Sequence, residues 1–331
     1  MNYATVNGIK VVNANVVTDY GTPVRKAIFV SPFRNSFDVG TQVEINFETA
    51  LGNVKMFTGS VKAVKRSRPD NLYSFTAEDK LCQAVEYWFA PANVDEGWRK
   101  WNIIHYDLVD AILAEAGITG AGFVNDWGDP ADINPYTGEA RGTFTFATGD
   151  EPVEIKISSG WDVISWICTI TGSYVYADRD GIVHLALIWD EPLTPWMTLT
   201  VGSGGQLTLV EYSRSDENLR NKVVVYGADN CRAEASLASP YLPANFFKTA
   251  IISHELINAD MAQETADINL HRLNKLTEFV TCDMLGQPSM DIGQTVEIVD
   301  AKAEVSGNWF VSNVIQKMDS SGYTTRITGK K

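Results

Sequence analysis

Residues 39 to 45 read Val-Gly-Thr-Gln-Val-Glu-Ile, and residues 292 to 298 read Ile-Gly-Gln-Thr-Val-Glu-Ile. The two stretches stand 253 positions apart. Carried forward without gaps, that offset sets Phe57 against Phe310, Val61 against Val314 and Ser67 against Ser320. Each copy reads as a strand, a variable loop, a longer strand, a polar turn and a closing strand. Breaks and apolar parity agree over roughly thirty residues, the signature of a duplicated unit. Val43, Ile45 and Phe47 alternate with Glu44 and Asn46, the period of a half-buried strand. Two copies so far apart do not make a solenoid. They predict two similar barrels in one chain, with other domains inserted between them. Such a chain mimics a symmetric dimer. Three chains would then present six barrels in a ring, which lets a threefold object meet a sixfold one.

The rest of the chain fits an α+β class: two similar tube-like β-barrel domains with inserted small α/β domains. Short runs at 27–30, 42–47, 55–64 and 72–76 are rich in Val, Ile and Phe and are broken by Gly, Asn, Pro and Asp, so they read as strands. The stretch 79–89 looks helical, with Leu81, Val85 and Trp88 on one stripe. A helix is expected over 106–116, where Leu108, Ile112 and Leu113 share a face and Gly117 stops it. A loop-rich stretch follows at 120–149, then a buried helix over 160–170 ending near Gly172. Two strands around Asp178-Arg-Asp-Gly181 read as a hairpin, because Asp180-Gly181 supplies the positive-φ turn. A polar stretch, 212–221, leads into a strand at 222–227, and 256–276 is the longest expected helix. From Phe279 the chain returns to short strands.

The 331 residues carry 27 Lys+Arg against 41 Asp+Glu, a net charge of -14, with 45% hydrophobic and 21% charged residues. That composition excludes a disordered or collagenous chain and suits about two or three domains. Duplex binding relies on neutralising phosphates with Lys and Arg, so the carboxylate surplus argues against a nucleic-acid binder and against docking on an anionic membrane. Residues 1–8 have neither a positive nor an apolar segment, and the most apolar window, 161–177, contains Asp162 and several Ser and Thr. Neither reads as a signal peptide or a membrane span. Cysteines at 82, 168, 231 and 282 are too widely spaced for a zinc site and read as reduced thiols of a protein made in a cytoplasm.

Four stretches carry a family resemblance: Phe57-Thr-Gly-Ser-Val-Lys-Ala-Val; Tyr106-Asp-Leu-Val-Asp-Ala-Ile-Leu-Ala-Glu-Ala-Gly117; Trp161-Asp-Val-Ile-Ser-Trp with the Asp180-Gly181 hairpin after it; and Ser215-Asp-Glu-Asn-Leu-Arg-Asn221 leading into Val223-Val-Val-Tyr-Gly227, followed by the closing unit at 293–328. In this order the chain resembles the baseplate hub proteins of tailed bacteriophages, the late control protein D group, and their relatives in contractile injection systems. The resemblance implies a homotrimer whose two tube-like barrels per chain form a pseudo-hexameric ring. That ring joins a hexameric tail tube or distal tail protein above to a separate trimeric spike or tip below, beside other baseplate proteins. DNA is passing cargo, membrane binding is not expected, no cofactor or metal is implied, and the place is the virion tail tip, assembled in the host cytoplasm. The domains expected are 1–90, a first barrel with flanking helix; 91–205, an inserted α/β domain; 206–227 with 279–331, a second barrel; and 228–278, its insertion or flanking helix. A negative wall would keep DNA from adsorbing, which points to Glu44 and its repeat mate Glu297 as lumen or subunit-seam residues. Solvated strand positions would explain the same two residues.

Catalysis is the rival class, as a tail-tip carbohydrate-binding or wall-degrading protein. His105, His184, His254 and His271 have no nucleophile motif beside them. Glycoside chemistry needs two carboxylates across a cleft, and Asp126 with Asp129 or Asp178 with Asp180 qualify by composition only. Counted from Asp178, the acid that a calcium loop needs at its twelfth position is Trp189. The stretch 202–205 lacks the Lys and the helix of a phosphate cradle. The basic run 62–68 reads as a solvated strand edge or a contact to an acidic partner. Trp88, Trp98, Trp101 and Trp127 read as packing at a domain junction. The expectation is a structural assembly protein without catalysis.

Overall fold

In the computed structural model Val43, Ile45 and Phe47 are buried while Glu44 and Asn46 stay at the surface, as a period of two dictates. They belong to the fifth of a set of strands: β1 (Tyr3–Val6), β2 (Ile9–Lys10), β3 (Asn13–Asp19), β4 (Lys26–Ser31), β5 (Gln42–Thr49), β6 (Gly52–Arg66) and β7 (Tyr73–Glu78). Their spatial order is β3-β4-β7-β6-β5-β1-β2, antiparallel throughout. The structure describes every residue except 1, 21, 34–35, 51, 67–70, 91–96, 127–143, 147–151, 188–193 and 202–205. The sequence readings at Ser67, Arg68, Trp127, Asp129, Trp189 and 202–205 lie outside the described residues.

The same order occurs again. Strands Leu207–Ser215, Thr277–Leu285, Gly322–Lys330, Val305–Asp319 and Thr295–Asp300 are hydrogen-bonded in that sequence, matching β3-β4-β7-β6-β5. The sixth position differs: β1 runs antiparallel to β5, whereas Met197–Thr200 runs parallel to Thr295–Asp300. The two halves meet edge to edge where Val305–Asp319 pairs with β3, from Asn313 opposite Asp19 to Met318 opposite Ala14. Among the described residues this makes one 13-stranded sheet.

The repeated sequence motif is a clamp. Gly40 and Gly293 take φ values of 86° and 80°, a conformation that glycine adopts without steric cost. Gly40 N–H donates to the Val61 carbonyl at 2.8 Å, and Val61 N–H donates to the Thr41 carbonyl at 2.9 Å. Gly293 and Val311 repeat the first bond at 3.0 Å, and Val311 and Gln294 repeat the second at 2.8 Å. Each clamp closes on a β-bulge, where the register slips between Val61 and Ala63 and between Val311 and Asn313. One residue upstream, Asp38 and Asp291 accept the N–H of Val39 and Ile292 at 2.8 and 2.9 Å. Their own N–H groups donate to Thr41 Oγ1 and Gln294 Oε1, both at 2.9 Å.

This geometry corrects the ungapped alignment. Val61 matches Val311, not Val314, and Phe57 does not match Phe310. Ile45 lies opposite Phe57 but Ile298 lies opposite Gly307. The second hairpin is therefore three residues shorter, and the offset falls from 253 to 250 in the long strand.

Between the halves lie helices α1 (Cys82–Glu86), α2 (His105–Glu115), α3 (Gly160–Thr171) and α4 (Ala259–Leu273). Helix α3 is capped by Ser159, which accepts the Asp162 N–H at 3.0 Å, and ends at the left-handed Gly172. Helix α4 starts at Asn258, whose side chain caps Asp260 and Met261. Three expectations change. The helix expected over 79–89 is confined to Cys82–Glu86, and Trp88–Phe89 is a short strand. The strand at Lys222–Tyr226 does not join the second copy. It is the centre of a three-stranded sheet with Arg232–Ser236 and Thr249–Ser253, because Val223 and Val225 bury against the apolar side of α4. Conversely, Met197–Thr200, expected in the inserted unit, pairs with the second copy. Core side chains fall into three clusters: one in the first half that also takes in Met318 and Tyr323 of the second, one within the second half, and one uniting α1 to α4 with the 222–253 sheet.

Alanine at either clamp glycine forces a β-carbon into a left-handed backbone, a loss of about 1–2 kcal/mol. At Gly293 that carbon would also lie 2.6 Å from the Tyr174 hydroxyl, while at Gly40 nothing lies within 4 Å. Thermal melts of Gly40→Ala and Gly293→Ala should both show a lowered midpoint, with the larger drop at Gly293. Equal drops would mean that Tyr174 yields freely.

Candidate functional site

Where the two halves and the inserted unit meet, one carboxylate is shared. Both oxygens of Asp291 accept from Arg25 Nη2 at 2.9 Å. Arg25 precedes β4 and is 4% exposed. Its backbone N–H donates to Asp79 Oδ2 at 2.7 Å, and its carbonyl accepts the Asp79 N–H at 3.1 Å. Burial pushes the Asp79 carboxyl up to about 7, opposed by the Arg25 and Leu81 backbone bonds and the Arg25 charge. From the inserted unit, Arg179 places Nε 3.3 Å from Asp291 Oδ2, donates from Nη2 to the Met290 carbonyl at 2.7 Å, and donates from Nη1 to the Pro288 carbonyl. Asp291 thus ties three parts of the chain while its backbone holds the repeated clamp. Its counterpart Asp38 is exposed, and its hydrogen bonds are those of its own turn.

The hairpin at 178–181 grips both halves. Its Arg179 reaches the second half, and its Asp180 accepts from Lys55 of β6 at 2.8 Å. A file of rings runs alongside it. Phe310 meets Tyr20 at 5.6 Å, Tyr20 meets Tyr174 at 5.1 Å, Tyr174 stacks on Tyr176 at 5.3 Å, and Tyr176 stacks on His184 at 5.0 Å. Burial pushes the Tyr176 hydroxyl up to about 12 and raises Tyr174 as well. His184 ends the file between two carboxylates, with Nδ1 2.6 Å from Asp126 and Nε2 3.2 Å from Asp178.

Glu44 lies on β5 and Glu297 on Thr295–Asp300, at matching positions of matching strands. The Glu44 carboxylate accepts from Asn46 Nδ2 at 2.8 Å and lies 3.1 Å from Lys55 Nζ. Those two hydrogen bonds hold it below the usual carboxylate range. Glu297 accepts from Thr198 Oγ1 at 2.7 Å. Of the described acids weighed for glycoside chemistry, Asp126 meets His184, Asp178 accepts the N–H of Asp180 and Ile182, both at 2.9 Å, and Asp180 holds Lys55. His105 is buried beside Phe144 and pushed down to about 4 by desolvation. His254 accepts the Leu256 N–H at 3.1 Å and packs on Trp166 at 4.6 Å, and His271 lies in α4. In the basic run, Lys62 pairs with Glu86 at 2.8 Å, and Arg66 donates to Asn71 at 2.8 Å. Trp98 packs on Phe89 at 5.2 Å, while Trp88 and Trp101 are exposed. Sequence reasoning missed the Arg25–Asp291–Arg179 node. Its one signal is the Asp that precedes the glycine motif in both copies, at 38 and 291.

Removing one partner of a buried ion pair strands the other, a loss of about 3–5 kcal/mol. Asp291→Ala should therefore depress the unfolding midpoint far more than Arg179→Ala, because Arg25 is the more deeply buried partner. Adding Arg25→Met to Asp291→Ala should recover much of the loss. Additive losses in the double variant would contradict the node.

No family model matches the sequence, and no curated protein matches it. Solved structures do match. The tail protein of Neisseria meningitidis aligns over 100% of this chain and 96% of its own, with a TM-score of 0.70 and 15% identity. The 43 kDa tail protein of prophage MuSo2 from Shewanella oneidensis aligns over 99% and 97%, with a TM-score of 0.65 and 12% identity. An E. coli component of the type VI secretion system, described as structurally similar to bacteriophage tail proteins, aligns over 98% and 76%, with a TM-score of 0.53 and 11% identity. At such identities the likeness is one of fold. The chain shares the fold of these tail proteins.

Proposed function

We propose that this protein is a structural hub of a phage-type tail tip. Three chains form a ring in which the two halves of each chain act as two tube-like barrels, six in all. The observation that carries this reading is the five-strand order found twice and joined side by side within one chain. A lateral joint between equivalent halves is the geometry that a pseudo-sixfold ring of three chains requires. The first barrel comprises 1–78, the second 197–215 with 277–331, and the α/β unit is assembled from the segments between. The ring joins a hexameric tube above to a trimeric spike or tip below. The surplus of acids suits a conduit wall that DNA passes without adsorbing, with Glu44 and Glu297 at the lumen or a subunit seam. The fold likeness to tail proteins and to a type VI secretion component supports the structural class. So does the commitment of Asp178 and Asp180 to internal contacts.

Sedimentation equilibrium over a wide concentration range tests the assembly. The expected limiting mass is three times the 36.5 kDa of one chain. A mass that saturates at two chains, or that stays at one throughout, contradicts the ring.

A further inference from the structure

His184 stands between two carboxylates that come from different elements. In the three-stranded sheet of Phe123–Asp126, Val183–Leu187 and Ser173–Ala177, Val124 lies opposite His184 across a parallel ladder, and Asp126 is two residues further along. A period of two puts Val124 and Asp126 on one face, the face that carries the His184 ring. Asp178 follows Ser173–Ala177 and opens the turn that carries Arg179 and Asp180. The ring therefore joins the end of Phe123–Asp126 to the base of the hairpin that grips both halves of the sheet. Its side chain is 17% exposed, against 44% for Asp126 and 29% for Asp178.

Both ring nitrogens face an acceptor. Nδ1 is 2.6 Å from Asp126 Oδ2, and Nε2 is 3.2 Å from Asp178 Oδ2. An ionised carboxylate only accepts, and a neutral imidazole has a single N–H. The doubly protonated ring alone satisfies both contacts. With one proton gone, a lone pair faces a negative oxygen at one of them. The two carboxylates are not equally free to withdraw. Asp178 Oδ1 accepts the N–H of Asp180 and of Ile182, both at 2.9 Å, which pins it to the turn. Asp126 ends its strand, and Val124, Asn125 and Asp126 are all exposed. The remaining proton therefore belongs on Nε2, toward the fixed Asp178, and Asp126 turns to water. Among the described residues, the other titratable group against the ring is Tyr176 of Ser173–Ala177, stacked on it at 5.0 Å. Burial pushes that hydroxyl up to about 12, so it stays neutral while an imidazole titrates. Tyr174 and the charges of Arg25 and Asp291 lie beyond Tyr176. Arg179 and Asp180 of the turn are directed to Asp291 and Lys55.

We propose that His184 is a proton-operated tie between the Phe123–Asp126 strand and the 178–181 hairpin. Doubly protonated, the ring donates to Asp126 and Asp178 together. Loss of one proton leaves the Nε2–H on Asp178 and releases Asp126. Phe123–Asp126 is an edge strand that pairs with Val183–Leu187 alone among the described strands, so its end loosens once the side-chain tie is gone. The turn keeps its form at either charge, because Asp178 stays bonded to it. The grip of Arg179 and Asp180 on the two halves is thus kept, while the outer edge of the inserted unit responds to acidity. The device lies within one chain and operates whether or not three chains assemble.

Two measurements on the full chain test it, at about pH 5.5 and about pH 8.5, either side of the range in which an imidazole changes charge. The first is the ring-nitrogen spectrum of the chain labelled with nitrogen-15 at histidine, with His184 assigned through the backbone. The second is amide hydrogen exchange over 123–126 and 178–182, corrected for the intrinsic effect of pH on exchange. In acid both His184 nitrogens should carry protons. In base one proton should remain, on Nε2, and protection over 123–126 should fall several-fold while that over 178–182 holds. Asp79 also titrates in this range, so His184→Gln is measured beside the native chain. In that variant protection over 123–126 should be low and equal at both pH values. A ring with one proton at both pH values overturns the tie, as does a proton kept on Nδ1 in base. So does protection over 123–126 that is unchanged by pH, or that falls equally in His184→Gln. The ring spectra need no variant, so the test stands even if His184→Gln does not fold.

Discussion

Asp291 is the point on which the arrangement turns. Its carboxylate holds Arg25 from one half of the sheet and Arg179 from the inserted unit, and its backbone sits in the clamp of the other half. A buried ion pair repays its desolvation only when the geometry is good and the remaining polar atoms are bonded. Here both oxygens meet arginine nitrogens within 3.3 Å, and Arg179 completes its set on the Pro288 and Met290 carbonyls. Apolar contact alone would bring the parts together without fixing their relative angle. Directional charge-assisted bonds add that angle, and the proposed ring would depend on it, because an angular error at each joint is multiplied around a circle.

The hairpin at 178–181 does this work from outside the sheet. Asp180 engages Lys55, Arg179 engages Asp291, and the file Phe310–Tyr20–Tyr174–Tyr176–His184 backs both. A stretch that the sequence offers as a hairpin turn, and by composition alone as an acid pair, is thus a latch between the two halves.

Much of this was legible in the residues. Alternation at 43–47 placed β5, Gly117 and Gly172 ended two helices, and Asp180-Gly181 made its turn. The duplication was visible because a positive-φ glycine and an alternating strand must recur wherever the same clamp recurs. Its register was not, since a hairpin three residues shorter leaves the strand patterns similar while moving every partner. Nor does an apolar run state which sheet it joins: Val223 and Val225 read like any core strand, and only the apolar face of α4 decides their place. Arg25 and Asp291 stand 266 positions apart, a separation over which local pattern carries no information. Glu44 and Glu297 were found as a pair by the repeat, yet their neighbours differ, Lys55 for one and Thr198 for the other.

Electron microscopy of the purified protein, with class averages tested for rotational symmetry, bears most directly on the duplicated-ring hub. The expected image is a ring of threefold symmetry with a central hole and six similar lobes. A closed dimer without a channel, or a ring whose lobes do not come in sixes, would contradict it.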